Sequence, residues 1–296
     1  MIRRAHAALL PLAALLAGPA AALAAINEAY RPQDEFKLDP WFSIGPIDFN
    51  KAVFYVLVAT ALTCGTMIYA ARRMQARPNR LQTAVETAFL LMRDNITRGN
   101  MDDRMAAKWF PFIGTIFLFI WFSNILGYLP LPTNTEHTVN IFGAHIPSLA
   151  LYAATANLSV PLVLTIVVWL SYHVEGIRAK GPGKYLASWI PAGVEGAARG
   201  PIFVIEVISH LVRLVSLSVR LFANILAGHL LILFMGGGLV VLLNAALVVS
   251  VVIGAFTGVM AVGFFLFELG LVATLQAFIF ATLTAIYLGG AVAAEH

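Results

Sequence analysis

Four residues in one apolar stretch, Glu206, Arg213, Arg220 and Asn224, carry side chains that a hydrocarbon interior tolerates only for a purpose. At about 100° per residue they fall within roughly 40° of one direction on a helix, with Ser209 and Ser216 close beside them. A central arginine in a membrane helix costs about 2.5–3.5 kcal/mol on insertion scales, so each charge needs an explanation. Arg213 has an ordinary one, as a snorkelling cation near a membrane edge or the partner of Glu206. Arg220 does not. It lies near the middle of the run Pro201 to Met235, and Glu206, the nearest carboxylate on its face, is 14 residues away, about 21 Å along a helix. A guanidinium stays charged at any relevant pH, so Arg220 requires an acidic partner from another helix, another chain or water. The chemistry such a group performs is to favour the ionised state of a carboxyl that comes past it.

His229 lies about 180° around the same helix from Arg220 and faces different surroundings. The last apolar segment holds Glu268, flanked by Phe265, Leu266, Phe267 and Leu269, and Gln276. A carboxyl and an imidazole inside a membrane are the groups that pass protons; taken singly, each is also read as a hydrogen-bonded packing group. Asn124, Thr155 and Asn157 are further polar residues placed to line a water path. Other chemistry is missing: there is no G-x-x-x-x-G-K-[ST], no H-E-x-x-H, no G-x-S-x-G and no histidine pair at i, i+4. No cofactor and no metal is expected. The single Cys64 excludes an intrachain disulfide and a thiolate metal site, and reads as a small hydrophobe in an apolar run.

Composition says what must hold these groups. Of 296 residues, 60% are hydrophobic and only 11% charged, and the mean hydropathy is +0.84; soluble domains run at about 25% charged. A soluble globular protein is excluded. The net charge of +4 reads as flanking charge around membrane spans, and no basic tract with interleaved aromatics supports a nucleic-acid partner. A spanning helix needs about 20 apolar residues, and the chain offers Ala52 to Ala71, Trp109 to Leu129, Leu149 to Tyr172, Pro201 to Met235 and Leu239 to Leu288. The fold class is therefore an all-α integral membrane protein of about five crossings. The last two segments exceed a perpendicular crossing, so they are steeply tilted or kinked, or the last forms an extra hairpin. Gly236, Gly237 and Gly238 mark the break between them.

Leu81, Val85, Phe89 and Met92 recur at helical spacing beside Glu86, Arg93 and Asp94, which gives an amphipathic helix lying on the cytoplasmic interface or covering other helices. The loop Pro130 to Pro147 is polar and reads as an extracytoplasmic turn or short hairpin. Gly254 and Gly258 read as a close helix-packing pair. Arg3 and Arg4, the apolar run Ala7 to Leu16 and the small residues Ala20 to Ala25 have the order of a signal peptide, so residues 1–25 are a signal-like segment, cleaved or retained as a short anchor, and residues 26–296 a single polytopic membrane domain. Arg72, Arg73, Arg77 and Arg80 follow the first span and Arg178, Lys180 and Lys184 the third, while the loop Pro130 to Ser148 holds no Lys or Arg. That asymmetry puts the N-terminus outside and His296 in the cytoplasm, with a bacterial plasma membrane as the expected host.

The stretch from Ile205 to His229 resembles subunit a of the F-type ATP synthase membrane sector. The likeness continues at Leu275 to Leu288, Phe122 to Pro130, Thr155 to Leu158 and Leu38 to Trp41, and so covers nearly the whole chain after the signal-like segment. The resemblance implies that Arg220 is the essential ion-transfer arginine facing a rotating ring of c subunits. It places Glu206 in a cytoplasmic half-channel and His229, Asn224 and Gln276 near that arginine or along an extracytoplasmic half-channel; Ser216 and Arg213 belong to the same pathway face. It pairs His229 with a carboxylate on the last helix, here Glu268. It also implies the c ring, the b subunits of the peripheral stalk and the rest of the complex as partners, beside lipid and protons. Two departures stand out. Leu214 occupies a place where the family commonly has proline, and Glu268 stands eight residues before Gln276 where the family's acid stands seven before. The extra residue turns Glu268 by about 100° unless a bulge absorbs it. A secondary transporter with an anion site at the Gly236 to Gly238 break is the rival reading.

Overall fold

Backbone polar groups in hydrocarbon must be satisfied within the segment that carries them, which leaves helices as the economical way for a chain this apolar to cross a bilayer. The computed structural model describes residues 36–293 apart from 46, 73–74, 76–77, 134–137, 142–143, 148–150, 192, 195 and 239–246. Five helices are long and apolar enough to span: Lys51–Arg72, Asp103–Gly127, Ser159–Lys180, Gly196–Gly236 and Val249–Val292. The protein is an all-α membrane protein with two small hairpins added. The signal-like segment 1–25 lies outside the described residues.

In chain order the elements are β1 (Phe42–Ile44), β2 (Ile47–Phe49), α1 (Lys51–Arg72), α2 (Arg80–Leu90), α3 (Asp103–Gly127), β3 (Thr138–Ile141), β4 (Ala144–Pro147), α4 (Ser159–Lys180), α5 (Pro182–Ala187), α6 (Arg199–Leu233), α7 (Leu247–Phe267) and α8 (Ala273–Val292). Their contacts divide the chain into two units. One contains Lys51–Gly127, Ala153–Ile225 and Val272–His296, and the other Met1–Asn50, Tyr128–Tyr152 and Leu226–Leu271.

In the first unit α3 packs against α1 and α8, and α8 also packs against α4. The seam is built of small residues: Ala273, Ala277, Ala281 and Ala285 recur every fourth position on α8 and are wholly buried. Small side chains let helix backbones approach, and dispersion then drives association where no hydrophobic effect operates between helices. Gly127 lies so close to Ala153 that no side chain would fit there. Asn79 caps α2, its side chain accepting from the Gln82 backbone N–H at 2.8 Å. A π-helical turn, Leu91–Thr97, continues α2 and buries Met92 and Ile96, while Phe89 meets Phe110 edge-on at 4.6 Å. The amphipathic helix thus covers α3 with its apolar face.

In the second unit β1 and β2 form an antiparallel hairpin across Gly45, whose φ of 62° suits glycine, and β3 and β4 form another. That second hairpin is the one expected between Pro130 and Pro147.

Four expectations need correction. The third span starts at Ser159 rather than Leu149, because Ala154–Ala156 form a buried 3-10 turn and the Asn157 Oδ1 accepts from the Ser159 N–H at 3.1 Å. Hydropathy cannot separate an apolar packed turn from an apolar helix. The last segment forms no extra hairpin among its described residues, since from Leu247 onward α7 runs through a π-helical turn, Glu268–Val272, into α8; residues 239–246 lie outside them. Cys64 is exposed, as a small apolar residue on a lipid-facing surface is free to be. Gly258 has no described atom within 4 Å of where a Cβ would stand, so it marks no close packing among the described residues.

Candidate functional site

The polar stripe survives folding as one face of α6, which is helical without interruption through Leu214. Arg220, Ser216 and Asn224 are exposed on it. The surface around Arg220 is a shallow apolar groove formed by Ile208, Leu211, Val212, Val215 and Val219. Among the described residues Arg220 forms no ion pair. A guanidinium held among valines and leucines with no counter-ion is an arrangement a chain keeps when the counter-ion comes from elsewhere. The Ser216 Oγ donates to the Arg213 carbonyl at 3.3 Å, which satisfies it within the helix.

Toward the start of α6 the stripe meets α4, α5 and α8. The Arg213 Nη2 lies 3.5 Å from the Glu206 Oε1, and the guanidinium sits 5.4 Å from the Tyr287 ring centre. The expected pair of Glu206 and Arg213 is therefore formed. His210, which sequence reasoning passed over, lies on the same side: its Nε2 is 4.0 Å from the same Glu206 oxygen, and its Nδ1 shares a hydrogen with the Tyr172 hydroxyl at 2.9 Å. Residues 206, 210 and 213 adjoin at helical spacing, and that was the available signal. These groups border an open cavity of about 360 Å³ that Tyr172, Tyr185, Trp189 and Tyr287 help to line. Behind it His173 Nδ1 is 2.6 Å from the Tyr185 hydroxyl, a group whose proton burial holds on more firmly than in water. The arrangement offers a carboxylate, an imidazole and two phenols to water, which is what exchanging protons with bulk solvent requires.

A different carboxylate site forms in the second unit. Glu268 is buried, and the Tyr128 hydroxyl donates to its Oε2 at 3.0 Å. The Tyr128 ring also lies 4.6 Å from the ring of His229, which is 1% exposed. A Cβ at position 228 would stand 2.5 Å from the Glu268 carboxyl carbon, so glycine there makes room for the acid. The π-helical turn beginning at Glu268 is a local change of helical period, and it accommodates the eighth residue between Glu268 and Gln276. The structure thus brings Glu268 and His229 to one tyrosine, Tyr128. Tyr128 itself was missed, because its neighbours come from elements far away in sequence.

The remaining expected residues lie in the first unit. Asn124 is fully buried; its Nδ2 donates to the Ala273 carbonyl at 3.3 Å and its Oδ1 accepts from the Thr155 hydroxyl at 2.7 Å. That geometry ties α3 to α8 and to the 3-10 turn. Asn157 accepts from the Ser159 N–H at the start of α4, as noted above. Gln276 is buried on α8, one helical turn beyond Ala273.

The chain matches the model of the ATP synthase A chain family over residues 53–289. It is 32% identical over 269 residues to the ATP synthase subunit a of Beijerinckia indica, covering 90% of this chain and 97% of the relative. It is 34% identical over 251 residues to that of Maricaulis maris, covering 84% and 90%, and 31% identical to that of Hyphomonas neptunium, covering 90% and 98%. With a family model spanning most of the sequence and full-length relatives above 30% identity, this chain belongs to the ATP synthase A chain family.

Proposed function

We propose that the chain is the stator channel subunit of an F-type ATP synthase, coupling transmembrane proton flow to rotation of a c-subunit ring. Two aqueous half-channels, each reaching part-way through the membrane, deliver protons to a carboxyl on the ring and take them away. Arg220 stands between them: it favours the ionised carboxylate as each ring subunit passes, and its fixed charge bars direct leakage. The observation that carries this reading is an exposed Arg220, without an ion-pair partner among the described residues, in an apolar groove on a helix far longer than one crossing requires. Glu206 opens one half-channel through its cavity; Glu268, Tyr128 and His229 serve the other, with Asn224 and Gln276 flanking the transfer step. Each elementary charge crossing the membrane gains about 2.3 kcal/mol per 100 mV, and the ring pools several of these.

In this reading residues 26–296 work as one membrane domain after a cleavable leader, the N-terminus lies outside and the C-terminus in the cytoplasm of a bacterial plasma membrane, and the b subunits of the peripheral stalk hold the chain against rotation. The chain performs no nucleotide chemistry itself. The deciding experiment is ATP-driven acidification of inverted vesicles carrying Arg220→Ala beside wild type, with assembly checked by co-purification of the c ring. We expect pumping to be lost in a fully assembled complex. Wild-type pumping, or a chain that never associates with a c ring, contradicts the proposal.

A further inference from the structure

The geometry points to His210 as a second proton-carrying residue of the Glu206 cavity, passing protons between the Glu206 carboxyl and the water that the cavity admits. This rests on the reading of the cavity as a half-channel and adds to it a residue with no assigned role.

Three observations carry it. His210 is 7% exposed, yet its two ring nitrogens point at different proton-bearing groups. Nδ1 lies 2.9 Å from the Tyr172 hydroxyl and Nε2 lies 4.0 Å from the Glu206 Oε1. A side-chain rotation or one bridging water closes the second gap. The ring is also packed among other rings, its centre 4.4 Å from that of Trp189 at a tilt of 37° and 4.9 Å from that of His173 at a tilt of 53°. A histidine kept only for packing needs one nitrogen satisfied; this one has its second nitrogen toward a carboxylate that borders an open space of about 360 Å³.

The step balances without any other reactant. A proton leaves the Glu206 carboxyl for the imidazole, giving a carboxylate and an imidazolium. The imidazolium then releases a proton to the cavity water, which carries it away as hydronium, and neutral imidazole is restored. The groups that face His210 come from four helices. On α6 they are Glu206 and Arg213; on α4, Tyr172, His173 and, at its end, Lys180; on α5, Tyr185; on α8, Tyr287. Arg213 competes with a protonated His210 for the same Glu206 oxygen, so the carboxylate stays charge-neutralised whichever partner holds it.

The test uses inverted vesicles holding the whole complex with His210→Gln or His210→Ala, read as ATP-driven acidification. His210→Gln keeps a hydrogen-bonding side chain of similar size but cannot carry a proton. We expect it to assemble with the c ring at wild-type yield and to pump severalfold more slowly. Added imidazole, which the cavity has room to admit, should restore much of the rate to His210→Ala. A merely structural role predicts the reverse, with glutamine rescuing and imidazole having no effect. A wild-type rate in His210→Gln, or a His210→Ala defect that imidazole leaves unchanged, overturns the inference. Arg220→Ala vesicles run alongside separate the two failures: if they still pump, the half-channel reading itself falls, and if they are dead while His210→Gln is normal, only the role of His210 does.

Discussion

Two of the carboxylates that this chain places inside membrane-spanning helices, Glu206 and Glu268, are housed in opposite ways. Glu206 borders an open cavity, shares one oxygen between Arg213 and His210, and has phenols and a second histidine nearby. Glu268 is buried, held by one tyrosine hydroxyl, and fitted against a glycine that leaves no spare room. The contrast teaches where redundancy lies. At an open site water and a second titratable group can carry a proton around a missing member, whereas at a closed site each hydrogen bond is part of the only route. Removing a partner in a closed site also leaves a buried polar atom unsatisfied, at a cost of about 1–3 kcal/mol.

Substitutions at the two sites can break or sharpen that comparison. Glu268→Gln should have the larger effect, lowering ATP-driven acidification in assembled complexes by about tenfold or more, equivalent to about 1.4 kcal/mol in the barrier. A near-normal rate would mean that the closed site lies off the proton path. Gly228→Ala pushes a methyl into the Glu268 carboxyl; as an overpacking change it should destabilise by about 1–3 kcal/mol, measured as a fall in the thermal midpoint of the purified complex. Glu206→Gln should slow pumping only about threefold, because His210 and cavity water remain available; a complete block would remove the claimed redundancy. The smallest effect is expected from Tyr128→Phe, which deletes a single hydrogen bond to Glu268 and, at about 0.5 kcal/mol, should lower the rate about twofold without changing assembly.

Much of the architecture was legible because hydrocarbon leaves a chain few choices. Apolar runs long enough to span gave the five crossings, and the stripe Glu206, Arg213, Arg220 and Asn224 required only the helical period. The start of the third span was not legible, since Ala153 to Ala156 are as apolar as a helix would be and only packing beneath Gly127 turns them into a tight turn. The π-helical turn at Glu268 was half legible: the eight-residue spacing to Gln276 required an adjustment, but arithmetic alone did not say which kind. Tyr128 and His210 show the limit most clearly. Each lies within a stretch whose family likeness could be read, yet their roles depend on partners 140 and 38 residues away in the chain, Glu268 and Tyr172.

The account turns on Arg220 as both the partner of a passing carboxylate and the barrier between two water paths. The most direct measurement is made on proteoliposomes containing the complete complex with Arg220→Ala, energised by an imposed pH gradient, with ATP synthesis and passive proton leak recorded together. The account predicts no synthesis and a leak greater than wild type, because removing the fixed charge joins the half-channels while uncoupling them from the ring. Synthesis at the wild-type rate with an unchanged leak would contradict it.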